Sequence, residues 1–325
     1  MNPAASKKYY LRVSLTEACA FRCPYCLPDG PSRITPRPEL LTPAEIGRAV
    51  RVLSSLGVDR VRLTGGEPLQ RRECVEVVEQ LSQVKELRDI ALTTNGEHLA
   101  RLAGKLKKAG LKRVNVHLDS LKPERFLALA RNASLEEVLE GIAAAREAEL
   151  GPIKINTVIM RGVNDDEILD FCEFALRWGV TVRFIELMNT GSAQDFFKRH
   201  FMPAAEIRER VSGRYVLEEP DSPRGSRPAE EFPISGGKAA VGSIASESEP
   251  FCAACDRLRL TADGRFARCL YEPGGVSIRA LLRDPAASDD QLREVFATGI
   301  AGKRSWHPTF GRTGEKLFAM AEIGG

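Results

Sequence analysis

Two groups of three cysteines carry the most chemical potential in this 325-residue chain. Cys19, Cys23 and Cys26 fall in the stretch CAFRCPYC, separated by three and then two residues. Thiolates so spaced can wrap three irons of a cubane iron–sulfur cluster and leave the fourth iron without a protein ligand, and an open iron is a reactive one. Structural zinc is the alternative, but that ion prefers four protein ligands in a closed tetrahedron, and no fourth Cys or His lies nearby in the sequence. Cys252, Cys255 and Cys269 form the second group, again three thiolates, with two and 13 intervening residues. The segment DRLRLTADG between the last two reads as a strand and a turn, on which Arg257 and Arg259 project to one face. Beside a cluster, two forked guanidiniums make an anion clamp suited to phosphate oxygens; the plainer reading is a solvated pair on a sheet edge. Cys74 and Cys172 stand alone in predicted helices and read as ordinary buried thiols.

These residues need a frame to bring them together. Residues 11–16 (LRVSLT) read as a buried strand running into the first cysteine group, and 41–57 as an amphipathic helix with Thr42 as cap and Pro43 in its first turn. The alternation continues through strand 58–68, helix 71–84, strand 89–96, helix 98–109, strand 113–120, helix 134–149, strand 153–160, helix 165–178 and strand 180–188. A β/α series of this kind predicts a parallel sheet with right-handed crossovers, curled into a partial (β/α)6 barrel. Function in such sheets gathers at the C-terminal strand ends, so the first cysteines, LTGGEP, LTTNG, HLDS and FIELM are expected on one rim. Residues 218–238 are rich in Pro, Gly, Ser and charge and read as a linker or long surface loop. The expected organisation is therefore a barrel over 1–219 and a smaller α+β domain over 220–325, with an amphipathic helix near 288–300 and a Gly324-Gly325 terminus.

Composition limits the function classes. A hydrophobic content of 43% can fill a sizeable core, and 47 basic against 44 acidic residues leave a net charge of only +3. That excludes a nucleic-acid coat or a polybasic membrane anchor, so any anion site must be built locally. No apolar run is long enough for a membrane helix, and MNPAASKKYY lacks the apolar stretch of a secretory signal, so a cytoplasmic protein is expected. In that compartment eight cysteines are not disulfide staples.

CAFRCPYC, with an aromatic just before its last cysteine, resembles the cluster loop of the radical S-adenosylmethionine superfamily, and Gly65-Gly66-Glu67-Pro68 resembles its methionine-binding segment. With FCAACDRLRLTADGRFARC, HLDSLKPERF, IKINTVIMRGVNDDE and VRFIELM, the chain resembles the molybdenum cofactor biosynthesis protein A (GTP 3′,8-cyclase) family essentially end to end. The resemblance implies two [4Fe–4S] clusters and S-adenosylmethionine as cofactors, GTP as substrate, and a cyclic dihydro-nucleotide as product. Position by position it implies that Cys19, Cys23 and Cys26 hold the first cluster, while Tyr25, Gly66, Met188 and position 117 contact S-adenosylmethionine. For GTP it implies Arg12, Arg62, Thr93, Lys154 and Arg257, Leu258 and Arg259, with Cys252, Cys255 and Cys269 holding a cluster whose open iron takes the guanine. It gives Arg257, Arg259, Gly324 and Gly325 catalytic roles; a bare Gly-Gly terminus is otherwise just a frayed end. A flavodoxin- or ferredoxin-type electron donor and a downstream cyclic pyranopterin monophosphate synthase are implied as partners, and a homodimer is compatible with it. The residue types suit this independently, because a triphosphate enclosed in a barrel demands several cations. Arg60 and Arg183 are further, weaker candidates.

Three positions depart from the family pattern: His117 stands where Ser is usual, and Ala20 and Asp256 where Asn is frequent. An imidazole occupies the space of a small hydroxyl, so either the pocket shifts or that contact weakens, unless His117 is a satisfied core residue. Asp256 either tempers the arginine pair or points to solvent. Rival readings are a peptide-modifying radical enzyme with an auxiliary cluster, and a non-enzymatic iron–sulfur or zinc protein with closed sites.

Overall fold

The computed structural model describes residues 8–27, 30, 34–189, 194–220, 224–272 and 274–303. Its first part alternates strand and helix: β1 (Tyr9–Ser14), α1 (Pro43–Ser55), β2 (Val58–Thr64), α2 (Cys74–Ser82), β3 (Asp89–Thr94), α3 (Leu99–Ala109), β4 (Arg113–His117), α4 (Pro123–Ala130), α5 (Leu135–Glu147), β5 (Lys154–Ile159), α6 (Ile168–Trp178) and β6 (Thr181–Glu186). Then follow α7 (Gln194–His200), α8 (Ala204–Ser212), β7 (Glu230–Pro233), β8 (Ala240–Ile244), β9 (Arg257–Leu260), β10 (Arg265–Ala267), β11 (Val276–Ser277), α9 (Arg279–Arg283) and α10 (Asp289–Ala301). Local signals set several boundaries. Thr42 and Glu45 close a capping box at α1, and Ser288 and Gln291 close another at α10. Gly110, at φ 111°, ends α3 in the left-handed region.

All eleven strands form one sheet, in the order β11-β10-β9-β1-β2-β3-β4-β5-β6-β8-β7. From β9 to β8 every neighbouring pair is parallel; β7 and β10 run antiparallel to these strands at the margins, and β11 pairs antiparallel with β10. The sheet is open, a partial barrel rather than a closed one. Its outer face is apolar: Leu11, Val61, Val114, Ile155, Val182 and Leu258 are fully buried. Against it lie Ile46 and Leu53 of α1, Val78 and Leu81 of α2, Leu106 of α3, Ile142 of α5 and Phe171 of α6, each side chain contributing about 1.5–3 kcal/mol of burial. The inner face is polar. Tyr10 and Arg12, Arg60 and Arg62, Arg113 and Asn115, Lys154 and Asn156, and Arg257 and Arg259 alternate with those apolar residues and line one cavity.

Two sequence readings are corrected. The segment over 218–238 is not purely a linker, because β7 lies within it and pairs with β8. Residues 123–130 form α4, which was not expected; only Phe126, Leu129 and Ala130 of it are buried, too short an apolar face to mark a helix by period. Cys74 and Cys172 are buried thiols in α2 and α6, as the sequence suggested. The strands after residue 220 extend the sheet at both margins, β7 and β8 beside β6 and β9 to β11 beside β1.

Candidate functional site

A cavity of about 1130 Å³ opens inside the curve of the sheet, and all six cysteines of the two triads line it. The triads face each other from opposite rims. Cys19, Cys23 and Cys26 follow β1 and so sit at the C-terminal ends of the parallel strands. Cys252 and Cys255 precede β9, which is parallel to β1, and Cys269 follows β10, which is antiparallel to β9. The second triad therefore lies at the N-terminal ends, a rim that the expectation of a single functional edge left out.

At the first rim, the Arg22 guanidinium staples the loop by donating to the carbonyls of Cys19, Ala20 and Phe21. The glycine turn is pressed against the same loop. Gly66 donates its N–H to the Thr16 carbonyl at 2.7 Å, and Glu67 to that of Ala18 at 2.7 Å. A Cβ on Gly66 would come within 2.3 Å of the Ala18 oxygen, so only glycine permits this approach. Glu67 is fully buried and accepts from Leu69 N, Thr94 Oγ1 and Asn95 N at 2.9, 2.8 and 2.6 Å. It thereby ties the turn to the end of β3; burial pushes its carboxyl up to about 7 despite these donors. Burial, with Glu67 adding to it, pushes the Cys19 thiol up to about 12.

His117 ends β4 on the cavity wall. Its Nε2 lies 3.0 Å from Tyr25 Oη, 3.0 Å from Asp119 Oδ2 and 4.0 Å from Cys23 Sγ. Tyr25 donates its hydroxyl to Asp119 Oδ2 at 2.5 Å, and Asp119 Oδ1 accepts from Val158 N at 2.8 Å. Burial disfavours the imidazolium, but Asp119 and Cys23 outweigh it and hold the His117 pKa well above its ordinary value. No further Cys or His lies near the first triad in the sequence, but the fold brings a histidine there: donor atoms of Cys23, His117 and Asp119 all lie within 4.8 Å of one another. His117 is neither a core residue nor a simple stand-in for a hydroxyl; it is an imidazole tethered to the Asp119 carboxylate beside Cys23 of the first triad. Gly66, Tyr25 and Met188 line the cavity near this rim as expected.

At the second rim, Arg257 donates to Cys255 Sγ at 3.3 Å and stacks over Phe251, its guanidinium carbon 4.6 Å from the ring centroid. Lys303, just after α10, donates to the carbonyls of Arg257 and Arg268 at 2.6 and 2.8 Å, with Cys255 Sγ at 3.9 Å. Burial raises the Cys255 thiol, but Arg257 and Lys303 outweigh it and bring its pKa below the ordinary value.

Between the rims lies a wall of cations fixed by strand register. Pairing of β9, β1 and β2 sets Arg259 beside Arg12 and Arg12 beside Arg62. Burial and mutual repulsion weaken their hold on protons: Arg12 is well below its ordinary value, and Arg259, next to Arg257, falls to about 10. Arg62 donates to Tyr10 Oη at 2.5 Å and to Thr93 Oγ1 at 3.0 Å. Lys154 donates to Glu231 Oε1 and Oε2 at 2.8 and 2.7 Å, and Arg183 to Glu231 Oε1 at 2.5 Å. Asp256 is buried and accepts from Arg60 at 2.5 Å and from Ser226 at 2.7 Å, so it neither points to solvent nor touches the Arg257–Arg259 pair directly. Arg60 and Arg183 line the cavity too.

Of the expected site residues, Leu258 is the exception: its side chain is fully buried on the outer face and only its backbone borders the arginine pair. Gly324 and Gly325 lie outside the described residues. Sequence reading missed Tyr10, Asp119, Glu67, Glu231 and Lys303. Asp119 and Glu67 fall in the quoted HLDS and GGEP segments, which was their signal; Tyr10, Glu231 and Lys303 had none.

The donor sets suit iron–sulfur clusters. Each offers three soft thiol ligands, aimed into a cavity rather than closed around a tetrahedral ion. Among the described residues, no helix is long and apolar enough to cross a membrane.

The profile of the Radical SAM superfamily matches residues 13–175, and that of Molybdenum Cofactor Synthesis C matches 180–309. The chain is 41% identical over 318 residues to the GTP 3′,8-cyclase of Syntrophomonas wolfei, covering 97% of each chain. It is 43% identical over 299 residues to that of Listeria monocytogenes, covering 92% of this chain and 89% of the relative. The mitochondrial GTP 3′,8-cyclase of Arabidopsis thaliana is 42% identical, covering 92% of this chain and 76% of the relative. Among solved structures, Streptococcus suis SuiB bound to precursor peptide SuiA aligns with a TM-score of 0.64 at 14% identity, covering 98% of this chain and 70% of that one, a likeness of fold.

Proposed function

This chain belongs to the GTP 3′,8-cyclase family of radical S-adenosylmethionine enzymes, and we propose that it converts GTP to (8S)-3′,8-cyclo-7,8-dihydroguanosine 5′-triphosphate, the first step of molybdenum cofactor biosynthesis. The observation that carries this reading is the shared cavity: two three-thiol sites at opposite rims with a cation wall between them. Cys19, Cys23 and Cys26 would hold one [4Fe–4S] cluster, and Cys252, Cys255 and Cys269 the other. When bound, the first cluster and S-adenosylmethionine would supply the radical chemistry at the ribose C3′ hydrogen.

The chain's own residues do the positioning. Tyr25, Gly66, His117 and Met188 form the pocket for S-adenosylmethionine, Gly66 by letting the glycine turn pack directly on the first cysteine loop. Arg12, Arg62, Thr93, Lys154, Arg257 and Arg259 receive the triphosphate, with Leu258 contributing through its backbone, and Arg60 and Arg183 extend the same wall. Phosphates gripped on that wall and a purine held at the second triad fix the ribose between them, which brings C3′ and C8 of one nucleotide together for bond formation. Arg257 and Arg259 are assigned a catalytic part beside their hold on phosphate, as are Gly324 and Gly325, which lie outside the described residues. Residues 1–219 serve as the radical barrel and 220–325 as the part that carries the second cluster. A flavodoxin or ferredoxin as electron donor, cyclic pyranopterin monophosphate synthase as the next enzyme, a cytoplasmic location and a homodimeric state complete the proposal.

Anaerobic reconstitution tests it. Protein carrying both clusters is expected to consume S-adenosylmethionine and GTP together when supplied with a reductant. A colourless protein that holds zinc and no sulfide would overturn the reading.

A further inference from the structure

We propose that Glu231 is a positioning residue for the anion-binding wall, its carboxylate bridging Lys154 and Arg183 so that both cations are held ready for phosphate oxygens. The inference rests on the nucleotide reading above for what the cations bind, but not for how they are held. Lys154 on β5 and Arg183 on β6 line the cavity, whereas Glu231, on β7, does not. Register sets Glu231 across Gly242 of β8 from Arg183, on the same face of the sheet, so the carboxylate acts from the flank of the wall. Both of its oxygens receive Lys154 Nζ, at 2.8 and 2.7 Å, and Oε1 also receives Arg183 Nε at 2.5 Å. Relative exposures of 14% for the lysine side chain, 9% for the arginine and 20% for the glutamate leave little water to do this work instead.

The charge balance explains why a carboxylate is needed. An ammonium enclosed here is opposed by burial first and then by the Arg183 guanidinium, with Arg113 on β4 adding to it; Glu231 is the anion that counters them, and Lys154 still falls to about 8. Arg113 is itself paired, to Asp89 of β3 at 2.6 Å, so that carboxylate is already engaged by another cation. Removing the charge of Glu231 takes away the anion that offsets Arg183, and Lys154 then releases its proton at lower pH. A neutral amine grips phosphate oxygens far less well than an ammonium.

The test is Glu231→Gln in the protein carrying both clusters, with two measurements. Trace acylation of Lys154, followed by mass spectrometry against pH, reads the proton on Nζ without any nucleotide. GTP affinity against pH reads the consequence. The wild type is expected to show an acylation midpoint near 8, with the variant's at least about one unit lower. GTP binding by the variant should then weaken by about twofold at pH 7 and about tenfold at pH 9, and recover in mild acid, where Lys154 regains its proton. An unmoved acylation midpoint overturns the inference. So does tighter GTP binding at every pH, which would make Glu231 a competing anion, and so does an equal loss at every pH, which would make its role structural. If the midpoint falls but neither protein binds GTP, the lysine-holding role stands and the nucleotide reading fails.

Discussion

At the first triad, burial pushes the Cys19 thiol up to about 12 and Glu67 adds to it; at the second, Arg257 and Lys303 bring Cys255 below its ordinary value in spite of burial. The two sites offer the same three donors, yet Cys255 has two cations beside it where Cys19 has the Glu67 carboxyl; Cys252, like Cys19, is raised chiefly by burial. The first is walled by the backbone of the Gly65-Gly66 turn and by the carboxylates of Glu67 and Asp119. Such a site binds metal only by driving protons off its thiols, and the His117 imidazolium stands there against the Asp119 carboxylate. The second triad is flanked by cations continuous with the Arg259–Arg12–Arg62 row, which favours an anionic substrate. Equal ligand counts therefore support unequal jobs.

The comparison breaks most readily at the first triad. Cys19→Ser is expected to abolish S-adenosylmethionine cleavage and GTP conversion together, measured by chromatography of 5′-deoxyadenosine and of the nucleotide product. Cys269→Ser should separate the two, leaving uncoupled cleavage within about tenfold of wild type while GTP conversion fails. Equal loss of both activities in that variant would contradict divided roles. Gly66→Ala sharpens the contrast structurally, since its Cβ would lie 2.3 Å from the Ala18 oxygen. It should destabilise the first loop by about 2 kcal/mol or more and lower iron content there, with the second cluster retained; full iron at both sites would refute the close approach. The smallest effect is expected for Lys303→Met. In iron-free protein the Cys255 thiol should titrate at higher pH than in wild type, read by the pH dependence of its alkylation, because one of its two neighbouring cations is gone. An unchanged profile would assign the field at that rim to Arg257 alone.

Much of this contrast is legible in the sequence, and what is not has a physical reason. Helix starts at Thr42 and Ser288 show themselves because capping chemistry is local. The cysteine spacings and the GGEP and HLDS segments are local as well. By contrast, the parallel pairing of Tyr10 with Arg257 and of Arg12 with Arg259 joins segments that lie far apart in the chain, and no short pattern encodes that register. Without it the second triad cannot be assigned to the N-terminal rim. Glu231 was hidden for a different reason. It stands in a Pro- and Gly-rich stretch that reads as linker, and only its seat on β7 brings it to Lys154 and Arg183. His117 was visible as an oddity, but its meaning depends on Asp119 and Tyr25, whose side chains meet it only in the fold.

Electron paramagnetic resonance on two complementary proteins tests the division of labour most directly. One lacks the first triad, with Cys19, Cys23 and Cys26 replaced by Ala; the other lacks Cys252, Cys255 and Cys269. The account predicts that GTP alters the reduced-cluster spectrum only in the protein retaining the second triad, and S-adenosylmethionine only in the one retaining the first. A cluster that responds to the other ligand, or to both equally, would contradict it.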